Sequence, residues 1–175
     1  NGDVTVSPRL AATIKLNKTS RLRLAAGLYT QSPGYEKLIQ SDYFFDLSQE
    51  FIVNLRHERS THLVGGFERD LGENQLLRVE GYYKTYNDLI VGRLESNAAR
   101  LKRVAQYNFP NELQRSVPQE AQITSVPTNG GRGRSYGIDT YLVRNKVDAR
   151  LKGWLSYAWG RADRETYNFR YPFEY

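Results

Sequence analysis

The residues best suited to chemistry lie in His57-Glu58-Arg59-Ser60-Thr61-His62. Two imidazoles around a carboxylate invite comparison with the H-E-x-x-H zinc motif, in which histidines at i and i+4 share one helical face. Here the histidines are five apart and His62 opens an alternating segment, so the spacing speaks against a metal site. Gly130-Gly131-Arg132-Gly133 has the glycine content of an anion cradle. It lacks the lysine spacing of a P-loop, and a flexible loop exit over Thr128 to Gly133 is the better reading. Asn17-Lys18-Thr19 fits a glycosylation sequon, but a tight turn explains it better. Asp42 with Asp46, or Glu58 with Glu68, are the available carboxylate pairs, and nothing sets either pair around a reacting bond. No catalytic residue, metal or cofactor is therefore expected, and the chain is not read as an enzyme.

With chemistry so thin, the elements that carry these residues decide the reading. A length of 175 residues gives a prior of one domain. There is no cysteine, so no disulfide framework is possible. The chain opens at a polar Asn1-Gly2-Asp3 and has no methionine, which suggests processing or excision from something longer and no signal peptide here. No apolar run approaches the roughly 20 residues of a transmembrane helix. A mean hydropathy of −0.64 looks too polar for a membrane protein. That objection holds only for helical ones, because a transmembrane barrel turns alternate residues to lipid and to a polar lumen. The 13 tyrosines suit positions that are apolar on one side and wet on the other. A net charge of +6 fits solubility, a surface facing a polyanion, or a neighbourhood of anionic lipopolysaccharide. No nucleic-acid partner is expected.

Period-two alternation is the clearest signal. Leu10, Ala12, Ile14 and Leu16 alternate with Arg9, Thr13 and Lys15; after Asn17-Lys18-Thr19, Leu22, Leu24, Ala26 and Leu28 alternate with Arg21, Arg23 and Tyr29. A second hairpin turns at Gly72-Glu73-Asn74, with Leu77, Val79, Gly81 and Tyr83 set against Arg78, Glu80, Tyr82 and Lys84. A third turns at Asn145 to Asp148 and returns from Ala149 to about Ala162, with Leu151, Leu155, Tyr157 and Trp159 opposite Arg150, Lys152, Trp154 and Ser156. The hairpins span about 9–29, 62–92 and 134–163, in one domain over 1–175.

The connections between hairpins, about 31–60 and 93–133, far exceed ordinary loop length. Short turns on one side and long external loops on the other give the sidedness of an outer-membrane barrel. Arms of about 9–11 tilted residues suffice to cross a bilayer. The aromatics Tyr29, Tyr82, Tyr83, Tyr86, Tyr136, Tyr157 and Trp159 lie away from the short turns, as in an interfacial girdle. In the first connection Phe51, Val53 and Leu55 suggest a helical turn or an extended segment; Asn97 to Val104 suggests a helical turn in the second.

Five segments in order resemble the barrel of TonB-dependent receptors. Ser7-Pro8-Arg9-Leu10 resembles a strand start of that family, and Leu28-Tyr29-Thr30-Gln31-Ser32-Pro33 a strand exit. Val79 to Leu89 resembles its h-E-h-F/Y-Y-K-x-Y-x-D-L strand, and Asn129 to Asp139 its N-G-x-G-R-S-Y-G-h-E strand entry, with Asp139 where glutamate is common. Leu151-Lys152-Gly153-Trp154-Leu155-Ser156-Tyr157 resembles the L-x-G-W-x-S-Y strand that follows. Plug domain, energy-coupling box and terminal aromatic insertion signal are not present in these residues, and Tyr171 to Tyr175 resembles the approach to a further hairpin.

The resemblance implies an all-β fold of antiparallel up-and-down hairpins, about six strands of a larger transmembrane barrel of about 22. It implies a part of an outer-membrane receptor for active uptake of a siderophore, cobalamin or an oligosaccharide, with the plug domain and the TonB system engaged through the parent chain. The row Arg21, Arg23, Arg78, Glu80, Lys84 and Arg150 would face the lumen, holding the plug by hydrogen bonds and ion pairs or lining the solute path. Tyr35, Tyr43 and Tyr107 in the external loops would stack on a small-molecule or glycan ligand. Arg100, Lys102 and Arg103 read as a solvated loop face, with lipopolysaccharide phosphate or an acidic ligand as the other reading. A passive porin or adhesin barrel and a soluble β-sandwich binding an acidic glycan stay open as alternatives.

Overall fold

The computed structural model describes residues 5–33, 55–72, 74–107, 110, 116–145, 151–167 and 169–172. Its elements are β1 (Arg9–Lys15), β2 (Ser20–Gln31), β3 (Glu58–Gly72), β4 (Gln75–Leu94), α1 (Asn97–Gln106), β5 (Ile123–Arg144), β6 (Gly153–Thr166) and β7 (Phe169–Pro172). The strands form one seven-stranded sheet in sequence order, β1 to β7. The pairings are antiparallel, as successive hairpins require. The expected up-and-down architecture is what the chain adopts, with a seventh, four-residue strand added at β7.

Local chemistry sets the turns. Leu16 and Asn17 N–H donate to the Ser20 carbonyl at 3.0 and 3.3 Å. The Asn17 side-chain oxygen accepts from the Thr19 N–H at 2.9 Å and its hydroxyl at 3.1 Å, so Asn17 acts as a turn residue. The β3–β4 turn uses Gly72 at φ 152 and Asn74 at φ 60, residue types that tolerate positive φ. These two turns and the end of β5 lie at one end of the sheet. The Thr19 carbonyl accepts from the Asp70 N–H, and the Asn74 carbonyl from the Asn145 N–H, both at 2.8 Å.

Two boundaries differ from those the sequence suggests. β5 starts at Ile123, so the glycine run Gly130 to Gly133 is strand rather than a flexible exit. Arg132 and Gly133 pair with Glu165 and Arg164, and a Cβ on Gly133 would stand 3.3 Å from the Asp163 carbonyl, so small size serves close strand approach. β6 begins at Gly153, later than the expected Ala149, and residues 146–150 lie outside the described residues. Gly137 pairs with Gly160, and the Tyr82 hydroxyl reaches to 2.6 Å from the place of a Cβ on either one, so an aromatic ring fills the space two glycines leave open.

The chain divides into two compact units, Asn1–Ser32 with His57–Leu89 and Gly131–Tyr175, and Pro33–Arg56 with Ile90–Gly130. In the second unit, Ser96 caps α1 by accepting from the Ala99 N–H at 3.2 Å. This helix occupies the place of the helical turn expected at Asn97 to Val104. Ile90, Val91 and Val117 are the buried hydrophobic residues among those described, and all three belong to this unit. The sheet of the first unit instead leaves large apolar side chains exposed, among them Leu10, Leu63, Leu155 and Trp159.

Candidate functional site

Directly paired residues of an antiparallel sheet share a face, and faces alternate along each strand. The registers Arg21↔Glu68↔Arg78, Arg23↔Gly66↔Glu80 and Gly27↔His62↔Lys84 therefore gather one charged face. The registers Ile14↔Leu22↔Phe67↔Val79 and Ala12↔Leu24↔Gly65↔Gly81 gather the opposite, apolar one. Arg21, Arg23, Arg78, Glu80 and Lys84 share the charged face; Arg150 lies outside the described residues.

Glu68 is the hub of that face, and its side chain is only 4% exposed. Arg78 donates to Oε2 from Nη2 at 2.8 Å and from Nε at 3.0 Å. Arg21 Nε lies 3.1 Å from Oε1 and Arg23 Nη2 lies 3.3 Å from Oε2. Arg21 also donates from Nη2 to both oxygens of Asp70 at 2.9 Å. Three guanidiniums thus meet two carboxylates, leaving one positive charge in excess within the cluster. Guanidiniums are suited to pairing with carboxylate or phosphate, and the cluster has no nucleophile and no acid–base pair. Glu80 lies across Gly66, its Oε2 3.5 Å from where a Cβ would be, and the Lys84 ammonium stands 4.9 Å above the Tyr82 ring.

Farther from the turns, the same face carries an aromatic ledge. His62 packs on Tyr29 with centroids 4.2 Å apart and stands edge-on to Tyr86 at 6.3 Å, while Arg9 lies 4.4 Å over Tyr29. His62 is thus stacked among rings within β3. Glu58 and Glu68 share the face but are ten residues of strand apart, about 33 Å, which removes them as a carboxylate pair. Asp42, Asp46, Phe51, Val53, Tyr35 and Tyr43 lie outside the described residues.

The aromatics read as one girdle divide between the two faces. Tyr29, Tyr82 and Tyr86 lie on the charged face, because their partners are Ser60, Val64 and Ser60 of the charged register. Tyr83, Tyr136 and Trp159 make a continuous row on the apolar face, with centroids 6.5 Å apart for the tyrosines and 6.2 Å from Tyr136 to Trp159. The row is the geometry expected of an interface girdle.

In the second unit, Arg103 grips Glu95 with Nε and Nη2 at 2.9 and 3.0 Å and donates to the carbonyls of Pro118 and Glu120. Arg100 donates to the Gln119 carbonyl at 2.7 Å. The basic run is therefore not a uniformly solvated face, since two of its three cations tie α1 to the segment that leads into β5. The Arg103 hydrogen bond holds the Glu95 carboxyl below its ordinary value, against the opposing effect of desolvation. Tyr107 follows α1, with its N–H on the Val104 carbonyl, and the residue is 42% exposed.

A hairpin sheet with one exposed apolar face, an aromatic row at its border and a charged opposite face defines the wall of a transmembrane β-barrel. The chain belongs to the TonB-dependent receptor-like β-barrel family, whose model matches residues 1–173. It is an outer-membrane family of transport receptors and not an enzymatic one. No match was found among curated proteins.

Proposed function

We propose that the chain forms part of the wall of an active-uptake receptor for a scarce nutrient: a siderophore, cobalamin or an oligosaccharide. The observation that supports this best is the two-faced sheet, with Glu68 and its arginines on one side and the Tyr83–Tyr136–Trp159 row on the other. In this reading the apolar face meets outer-membrane lipid and lipopolysaccharide, and the charged face meets the lumen. Arg21, Arg23, Arg78, Glu80, Lys84 and Arg150 face the plug domain of the parent chain. The excess positive charge around Glu68 suits a carboxylate on that plug. Tyr35, Tyr43 and Tyr107 contribute to an external ligand surface, and the TonB system acts through the plug.

Uptake separates an energised receptor from a passive pore. Cells with and without the parent gene are supplied with labelled ferric chelate, cobalamin or oligosaccharide. Accumulation of one of them that requires both the gene and an energised inner membrane supports the receptor. Accumulation that persists after de-energisation favours a porin.

A further inference from the structure

The apolar face carries a hollow of about 740 Å³ whose lining includes Leu10, Leu24, Leu63, Tyr83, Ile138 and Trp159. A second recess of about 180 Å³ shares Tyr83 and is lined by Thr85, Asn87, Arg132, Arg134 and Asp163. The two have opposite chemistry. The first offers hydrocarbon and aromatic surface alone; the second offers guanidiniums, hydroxyl, amide and carboxylate.

A buried acid of the recess ties one of its cations to another that stands beside it. Asp163 has a side chain only 3% exposed, and it takes Arg134 on Oδ2 and Arg161 on Oδ1, both at 3.3 Å. The Arg134 side chain is 40% exposed and that of Arg161 61%, and each guanidinium has more N–H donors than its contact to Asp163 uses. Arg170 stands 3.6 Å from Glu165 at the same rim. Arg132, Arg134 and Arg170 line the recess with Asp163 and Glu165, a net charge of +1, and Arg161, beside the recess on Asp163, raises the cluster to +2. The cluster lies just past the aromatic row, on the side away from the short turns.

We infer that the hollow and recess together form a binding site for a phosphorylated glycolipid. Its acyl chains lie along Leu24, Leu63 and Ile138, and its phosphate sits on Arg134 and Arg161. Basic side chains at headgroup depth attract lipid phosphate. Thr85, Asn87 and Glu165 add hydroxyl, amide and carboxylate partners for the many hydroxyls of a sugar headgroup. The inference rests on the outer-membrane reading above, which puts this rim at the outer leaflet.

The test uses the intact parent receptor, purified in detergent and folded as judged by a heat-shifting band. Retained lipid is counted by native mass spectrometry after exposure to short-core lipopolysaccharide, to the same lipid with its phosphates removed, or to phosphatidylglycerol. Retention of the phosphorylated glycolipid alone is expected. Arg161→Gln should weaken it about fivefold, and Arg134→Gln with Arg161→Gln further still. Arg161→Gln retains the Arg134–Asp163 pair, so it keeps the question answerable if the double variant fails to fold. Equal retention of phosphatidylglycerol, or of the dephosphorylated lipid, overturns the assignment, as does unchanged binding by a folded Arg161→Gln receptor. A parent protein found in the soluble fraction and without a heat-shifting band would overturn the membrane reading itself, and the lipid site with it.

Discussion

Arg78 and Glu68 face each other across the β3–β4 hairpin, with Nη2 and Nε of the arginine 2.8 and 3.0 Å from one carboxylate oxygen. The pair is intra-hairpin, but Arg21 and Arg23 arrive from β2, on the far side of a long connection. One carboxylate therefore joins two hairpins on the charged face.

Replacing Glu68 by Gln removes the charge that three guanidiniums share. Those arginines are 34–47% exposed on their side chains, so solvent screens much of their repulsion. The expected cost is about 1–2 kcal/mol, below that of breaking a fully buried pair. It is measured as a lower temperature for loss of the folded band of the parent receptor in unboiled gels. An unchanged temperature would mean that the cluster contributes nothing.

The legibility of this cluster in the sequence follows from chain distance. A tight turn at Gly72 to Asn74 brings Glu68 and Arg78 near each other, but the register shifts between Asp70 and Gly72, so counting back from the Gly72–Gln75 pair would set Val79 opposite Glu68; it is the matching alternation of the two strands that favours Arg78. The β2–β3 register has no such anchor, since about 26 residues intervene between Gln31 and Glu58, so Arg21 on Glu68 emerges only from the folded sheet. The division of aromatics between faces was in principle readable: Tyr82 and Tyr83 are adjacent and must point oppositely. The long reach of β5 was hidden because glycines ordinarily mark loops, whereas here Gly133 lies close to β6.

Gly137→Ala should destabilise the wall. A Cβ there would stand 2.5 Å from the Trp159 carbonyl oxygen and 2.7 Å from the Tyr82 ring. The ring can move, but the paired backbone of β6 resists, so a loss of about 1–3 kcal/mol is expected. Urea titration of the folded receptor reads it, and Gly153→Ala, with nothing within 4 Å, is the matched control.

Acid should loosen α1. The Arg103 hydrogen bond depresses the Glu95 pKa from its ordinary 4.5. A depressed acid stabilises the fold above the unfolded pKa and loses that contribution as pH falls through the folded one. Cleavage within 97–106 by an acid-tolerant protease should rise as pH drops below about 4.5. In Glu95→Gln it should be high at neutral pH and flat with pH. A wild-type profile as flat as the variant's would remove the clamp.

Single arginines placed on neighbouring residues of β2 should have opposite fates. Leu24→Arg puts a charge on the apolar face, with an expected cost of about 2–4 kcal/mol near the bilayer midplane. Ala25→Arg joins the charged face, where Val64 is its partner, and should cost little. The yield of heat-shifting receptor in outer membranes distinguishes them, and equal yields would remove the difference between the faces.

The most direct test is spin-label accessibility along residues 21–28 of β2 and 61–68 of β3 in the parent receptor reconstituted in bilayers, one labelled position at a time. A two-faced wall predicts period-two alternation: oxygen dissolved in lipid reaches 22, 24, 26, 63 and 67, and a water-soluble nickel complex does not. It predicts low oxygen contact at 21, 23, 25, 64 and 68. Uniform exposure to the nickel complex on both faces, or alternation in the opposite phase, would contradict it.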